Sequence, residues 1–401
     1  MINEKLKELI YNDEEKIIKQ RRHLHENPEL AMEERETNDF IKKELESYGL
    51  KVTQLEPTGL IAEINPDSDG KTVLLRADFD ALPIEETNDF DFKSKNPGKS
   101  HACGHDTHTA MLLAASRALI EIKDELPGTV RLLFQPGEET GDGGKAVVKQ
   151  GVTKDVDSGF AIHIFTNIPL GYAATGYDQV MAGNYFFEVS FKGKSAHGST
   201  PYDGNDAIMM LNTFINGANG AMARKVDALN EPIVLNYGTI SGGSVANAVA
   251  SDAKLTASFR FFTNESADKF LEELKQIADA SAKLYGGSAE FTYNQGAGPV
   301  INEKTSTDTA VKVAKELFGD DHVKTDLRIA GSEDFGFLLA GYEDYEGMPG
   351  AYMIIGAMNP DDPSTFPKNH AQDFNPDESA FKNGALLLAQ YAYDFLNQDD
   401  K

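Results

Sequence analysis

Residues 72–83 read Thr-Val-Leu-Leu-Arg-Ala-Asp-Phe-Asp-Ala-Leu-Pro. The first six are mainly apolar and of strand length, the pattern of a parallel strand buried on both faces. Asp78 and Asp80 follow at its carboxyl end, where open α/β sheets hold their ligands. The arrangement recurs downstream. Residues 129–135 form a second such strand, ending in Pro136-Gly137-Glu138-Glu139. Residues 159–164 form a third that carries His163, and residues 351–356 a fourth that leads into a loop, 357–374, containing His370. Helical patterns at 37–48, 109–122, 305–318 and 378–396 lie between or after these strands. The alternation predicts an α/β catalytic domain with a mostly parallel sheet and helices on both faces.

Upstream, residues 3–20 repeat apolar positions at helical spacing, and 21–30 close that helix at Pro28. His23 and His25 in this stretch read as part of a structured loop near a cleft, with metal binding as the other possibility. Near Gly183 the pattern changes. Residues 184–192 alternate like a half-buried strand, followed by a helix at 206–222, strands at 232–240 and 253–262, a helix at 265–285 and a strand at 288–293. The order β-α-β-β-α-β is the ferredoxin-like split motif. It predicts an inserted α+β domain at 184–296 within a discontinuous domain of 1–183 and 297–401.

A chain of 401 residues exceeds one ordinary core, in keeping with two domains. No run of about 18 apolar residues is present, and the charged N-terminus lacks the pattern of a secretory signal. The net charge of -26 argues against nucleic acid and anionic membranes as partners. A single cysteine excludes an internal disulfide and suits a reducing cytoplasm.

That cysteine lies in Lys99-Ser100-His101-Ala102-Cys103-Gly104-His105-Asp106-Thr107-His108, just before a helical run. Cys103, His105, Glu139, His163 and His370 mix thiolate, imidazole and carboxylate, a donor set suited to zinc or a similar ion. Five ligands exceed what one open tetrahedral site uses, and two ions per chain fit better. The pair Glu138-Glu139 allows one carboxylate to bind metal while its neighbour accepts a proton from metal-activated water. The plain alternative for that pair is a solvated loop charge.

Taken together, Asp78-Phe79-Asp80-Ala81-Leu82-Pro83, His101 to His108, Gln135-Pro136-Gly137-Glu138-Glu139 and the late His370 resemble the co-catalytic metallo-amidohydrolases of the aminoacylase and carboxypeptidase type. The similar branch holds hippurate hydrolases, auxin-conjugate hydrolases and N-acetyldiaminopimelate deacetylases. The resemblance implies Cys103, His105, Glu139, His163 and His370 as metal ligands, with Cys103 bridging. It implies Glu138 as general base and Asp80 as the carboxylate that orients a ligand without binding metal. Asp78 stays outside the ligand set, Asp106 and His101 are supports, and His108 is structural. Lys192-Gly193-Lys194-Ser195-Ala196-His197-Gly198-Ser199-Thr200-Pro201 resembles the family loop whose histidine stabilises the oxyanion of a neighbouring subunit, here His197. Asn247 and Arg260 resemble contacts to the substrate carboxylate, with a strand-end salt bridge as the alternative for Arg260. The loop Gly331-Ser332-Glu333-Asp334-Phe335 resembles one that shapes the cleft rim.

The implied activity is hydrolysis of N-acyl amino acids, acetyl or aromatic, by a cytoplasmic homodimer or dimer-based tetramer whose insert serves as lid and dimerisation domain. The implied cofactors are two divalent ions per chain: zinc, or else manganese, nickel or cobalt. The alternatives are an N-acetyldiaminopimelate deacetylase or dipeptidase, a non-catalytic metal-binding ligand sensor, and a thiol redox protein centred on Cys103.

Overall fold

In the computed structural model, which describes residues 1–398, strand Thr72–Asp78 lies between Thr129–Gln135 and Ser158–Pro169, parallel to both. Val73, Leu74 and Leu75 have no exposed surface, as the two-sided apolar run requires. Gly350–Met358 extends the parallel set beside Ser158–Pro169. Leu60–Ile64 and Val52–Gln54 add antiparallel strands at one edge, and Ala173–Ala174 and Val323–Lys324 complete eight strands at the other. The sheet is thus parallel where the acidic and histidine-bearing loops leave it and mixed only at its margins.

Helix His105–Glu121 runs through the core. Its residues Ala110, Met111, Leu112, Leu113, Ala114 and Ala115 are at most 1% exposed, because an all-round apolar helix has no face to give to water. It packs against Glu14–Glu26 and Ala380–Leu396. The single N-terminal helix expected at 3–20 is two, Glu4–Asn12 and Glu14–Glu26, the first capped by Asn3 Oδ1. The expected loop at 21–26 is helical, and the break comes only at Asn27 before Pro28. Arg21 and His25 are buried there, paired with Asp106, so tertiary contacts outweigh weak local propensity. Residues 138–149, expected to begin as open loop, form a short turn and helix Asp142–Lys149.

The chain divides into two compact units: Met1–Val180 with Val300–Ile329 and Asp334–Lys401, and Met181–Pro299 with Ala330–Glu333. The second holds an antiparallel sheet ordered Ser288–Ala297, Gly183–Lys192, Asp252–Phe261, Val234–Gly242. Tyr185, Phe187, Val189 and Phe191 are buried with helices Ala207–Lys225 and Asn264–Leu284, while Phe186 is 52% exposed. That alternation is the two-residue period of a sheet covered on one face. No helix among the described residues is long and apolar enough to cross a membrane.

Candidate metal centre

Gly104 holds the loop that carries Cys103 against strand Ser158–Pro169. Its φ is +92°, and a Cβ there would stand 2.7 Å from Ile164 Cγ2, so only glycine permits this approach. The approach brings Cys103 Sγ within 3.4 Å of His163 Nε2 and 3.3 Å of His370 Nε2. His163 Nδ1 lies 2.9 Å from the Ile164 carbonyl, which makes it the N–H donor and leaves Nε2 facing the sulfur as an acceptor. His105, the first residue of its helix, uses Nδ1 in the same way on Asp80 Oδ1 at 3.0 Å. Its Nε2 lies 3.9 Å from a Glu138 oxygen and 3.9 Å from Glu139 Oε1. His370 Nε2 is 3.5 Å from the same Glu139 oxygen.

These donors form overlapping sets. Cys103, His105 and His163 are one, Cys103, Glu139 and His370 a second, and His105, Glu138 and Glu139 a third, the donor atoms of each within 4.8 Å of one another. Cys103 belongs to two of them. His105 Nε2 and Glu139 Oε1 are buried without a hydrogen-bond partner. Leaving such atoms unpaired costs about 1–3 kcal/mol each, and a cation between them removes that cost. The residues therefore fit divalent ions, both in donor chemistry and in these two orphaned atoms. Burial, reinforced by the Glu139 charge, pushes the Cys103 thiol well above its ordinary pKa. Such a thiol is unreactive unless a cation ionises it, which counts against a redox role. Burial and neighbouring His108 hold the His163 pKa well below the ordinary value, so it is neutral, the ligating form. Burial would lower His105 too, but Asp78, Cys103 and Asp80 raise it well above normal.

Around the donors lies a ring of buried polar pairs. Asp78 Oδ1 accepts from His108 Nδ1 at 2.6 Å and Oδ2 from Arg76 Nη1 at 2.8 Å, so both oxygens are engaged although Oδ2 is 3.7 Å from His105 Nε2. His108 Nε2 accepts the Ile164 N–H at 3.0 Å, tying it to the strand that carries His163. Asp106 bonds Arg21 Nε and His25 Nδ1, both at 2.8 Å, and His25 Nε2 meets Glu86 Oε1 at 3.1 Å. His23 and His25 are thus helical, and His25 is an ion-pair member. His101 is 1% exposed, its ring nitrogens have no partner, and burial pushes its pKa down to about 4.

The Glu138–Glu139 turn is anchored three ways. Asp80 Oδ2 accepts the Glu139 N–H at 3.0 Å, Glu34 Oε1 accepts the Gly137 N–H at 2.9 Å, and the Asp334 N–H reaches Glu138 Oε1 at 3.3 Å. Asp334 is itself fixed by Arg76 Nη2 at 2.8 Å, Gln135 Nε2 at 2.7 Å and Gly144 N at 2.6 Å. It is a buried ion-pair partner rather than a rim residue, a correction to the reading of its loop. Sequence reasoning missed Glu34 and Arg76. Glu34 sits in Glu33-Glu34-Arg35-Glu36, which reads as a solvated helix start, and nothing local marks it as buried.

In the second unit, the His197 and Asn247 loops run together: His197 bridges Ala248, and the Gly198 N–H donates to Asn247 O at 2.8 Å. Both residues are exposed. Arg260 lies at the opposite end of the sheet. It pairs in register with Asn184, whereas the His197 loop leaves after Lys192. Eight residues of strand separate those positions, about 26 Å at roughly 3.3 Å per residue. Within one chain, Asn247 and Arg260 therefore do not converge on one carboxylate. Arg260 Nη1 bonds Ser332 Oγ, which also takes Asn184 Nδ2 at 3.2 Å, a hydroxyl contact in place of the strand-end salt bridge weighed as the alternative.

Residues 74–394 match the model of peptidase family M20/M25/M40. The chain is 36% identical over 400 residues to thermostable carboxypeptidase 2 of Saccharolobus solfataricus, covering 98% of this chain and 99% of that one. It is 33% identical over 394 residues to an N-acetyl-L-cysteine deacetylase of Bacillus subtilis, covering 97% and 90%. Its fold is similar, with a TM-score of 0.80 and 29% identity over 96% of this chain and 99% of the other, to a Bacillus subtilis dinuclear metal binding peptidase of the M20 family.

Proposed function

The chain belongs to peptidase family M20/M25/M40, a hydrolase of C–N bonds, and from that premise we propose that it removes the acyl group from N-acyl amino acids. The observation that carries this reading is the pair of orphaned atoms, His105 Nε2 and Glu139 Oε1, beside an adjacent second carboxylate, Glu138. Cys103, His105, Glu139, His163 and His370 would hold two divalent ions, zinc by donor preference. Bound there, such ions supply Lewis acidity toward water and the amide carbonyl. Asp80 fixes the His105 tautomer through Nδ1 and the Glu139 backbone through its amide, so one carboxylate sets both. Glu138 takes the proton of the attacking water and returns it to the leaving amine as the C–N bond breaks and a C–O bond forms. His197 donates to the developing oxyanion, where a single donor is typically worth about 10²–10³ in rate. A reducing cytoplasm suits the lone thiolate ligand.

The sheet-length separation of His197 and Asn247 from Arg260 supports a site shared between two copies, one supplying Arg260 and the other His197 and Asn247. Mixing inactive Glu138→Gln and His197→Ala chains under subunit exchange is then expected to restore up to about a quarter of wild-type activity, the share a random assortment allows when one site per hybrid is intact. No recovery after verified exchange would contradict the shared site. The reaction itself is tested with a panel of N-acetyl, N-benzoyl and longer N-acyl amino acids and dipeptides, scored by release of free amine. Cleavage of dipeptides alone would replace the acylase reading with the dipeptidase one.

A further inference from the structure

The backbone turn that presents Glu138 is unusual in what holds it. Gly137 has a φ of +58°, and a Cβ there would meet Met32 Sδ at 2.6 Å, so the turn is pressed against residues 32–34. From that segment Glu34 reaches in with no exposed surface. Its Oε1 accepts the Gly137 N–H at 2.9 Å, and its Oε2 accepts Thr58 Oγ1, itself on a buried residue, at 2.9 Å. Gly137 immediately precedes Glu138, so a shift of this one amide re-aims the carboxylate that follows. The opposite side of the turn is held independently by Asp80 on the Glu139 amide.

We propose that Glu34 is a positioning residue for the reaction: its buried carboxylate pins the Gly137 amide and thereby sets the direction of the Glu138 side chain. A buried carboxylate is a costly way to hold a loop. Burial, with the Asp80 charge nearby, pushes its pKa up to about 7, so its net value lies in geometry rather than in stabilising the core. Its side chain bonds the Gly137 amide and the Thr58 hydroxyl, and it reaches Glu138 through the backbone. This inference rests on Glu138 being the general base.

The test separates reach from charge. Glu34→Gln keeps the acceptor at full length, whereas Glu34→Asp keeps the charge and withdraws it by one bond, about 1.5 Å. Misplacement of a reacting group by about 1 Å can cost up to about 10²-fold. The expected result is kcat within about threefold of wild type for Glu34→Gln, and a loss of roughly 10–100-fold for Glu34→Asp and Glu34→Ala. KM stays within about twofold and the metal content is unchanged, since neither the ligands nor the substrate contacts move. Thr58→Ala, which removes the hydroxyl bond to Glu34 Oε2 and leaves the Gly137 bond in place, leaves kcat near wild type. The proposal is overturned if Glu34→Asp equals or exceeds Glu34→Gln, if Glu34→Ala retains kcat, or if Thr58→Ala falls as far as Glu34→Ala. Should Glu138→Gln itself remain active, the base assignment fails first. Should it be inactive while Glu34→Asp is normal, the clamp alone fails.

Discussion

Glu138→Gln is expected to lower kcat by about 10²–10⁴-fold, the usual contribution of a positioned general base, while the protein keeps its metal and its KM changes little. Glutamine has the same shape and can still accept the Asp334 N–H that reaches Glu138 Oε1 at 3.3 Å, so the turn is not disturbed. What is lost is the ability to hold a proton. The effect on kcat should therefore far exceed that on KM, since the proton is moved only in the transition state. Near wild-type turnover in a variant of confirmed metal content would remove Glu138 from the chemistry.

The second large effect is metal removal. Dialysis against a chelator is expected to abolish turnover to below about 1% of the starting rate, because no side chain at the site replaces Lewis-acid activation of water. Adding back a divalent ion should restore it. Thermal stability should rise on reloading as well. The buried His105 Nε2 and Glu139 Oε1 have no hydrogen-bond partner, and a ligand at about 100 times its Kd adds roughly 2.7 kcal/mol to the folded state. A chelator-treated protein with full activity and unchanged melting would contradict a metal-dependent site.

Much of the framework could be read from the chain because its signals are local. The apolar run Thr72–Asp78 is a buried parallel strand, and the alternating Gly183–Lys192 is a strand of the antiparallel sheet. Cys103 and His105 are close in sequence and flank the start of one helix. Glu139, His163 and His370 follow or lie in three strands of the same sheet that sequence separates widely. They were accessible through the rule that ligands collect at strand ends, together with family resemblance. Asp80 apart, the residues that support the donors were not accessible. Glu34, Arg76 and Asp334 are charged residues in ordinary-looking contexts, and only long-range packing shows them buried and paired. His25 failed for the same reason: its helix and its bond to Asp106 depend on a partner 81 residues away. Motif resemblance carries no distance: only strand pairing puts the Asn247 loop and Arg260 at opposite ends of one sheet.

Cys103, His105, Glu139, His163 and His370 are proposed to hold two divalent ions beside Glu138. An anomalous difference map from crystals of zinc-loaded protein tests this most directly. The prediction is two peaks per chain, both contacted by these residues and one or both by Cys103 Sγ. A single peak, or peaks held by other side chains such as His25 and His101, would contradict it.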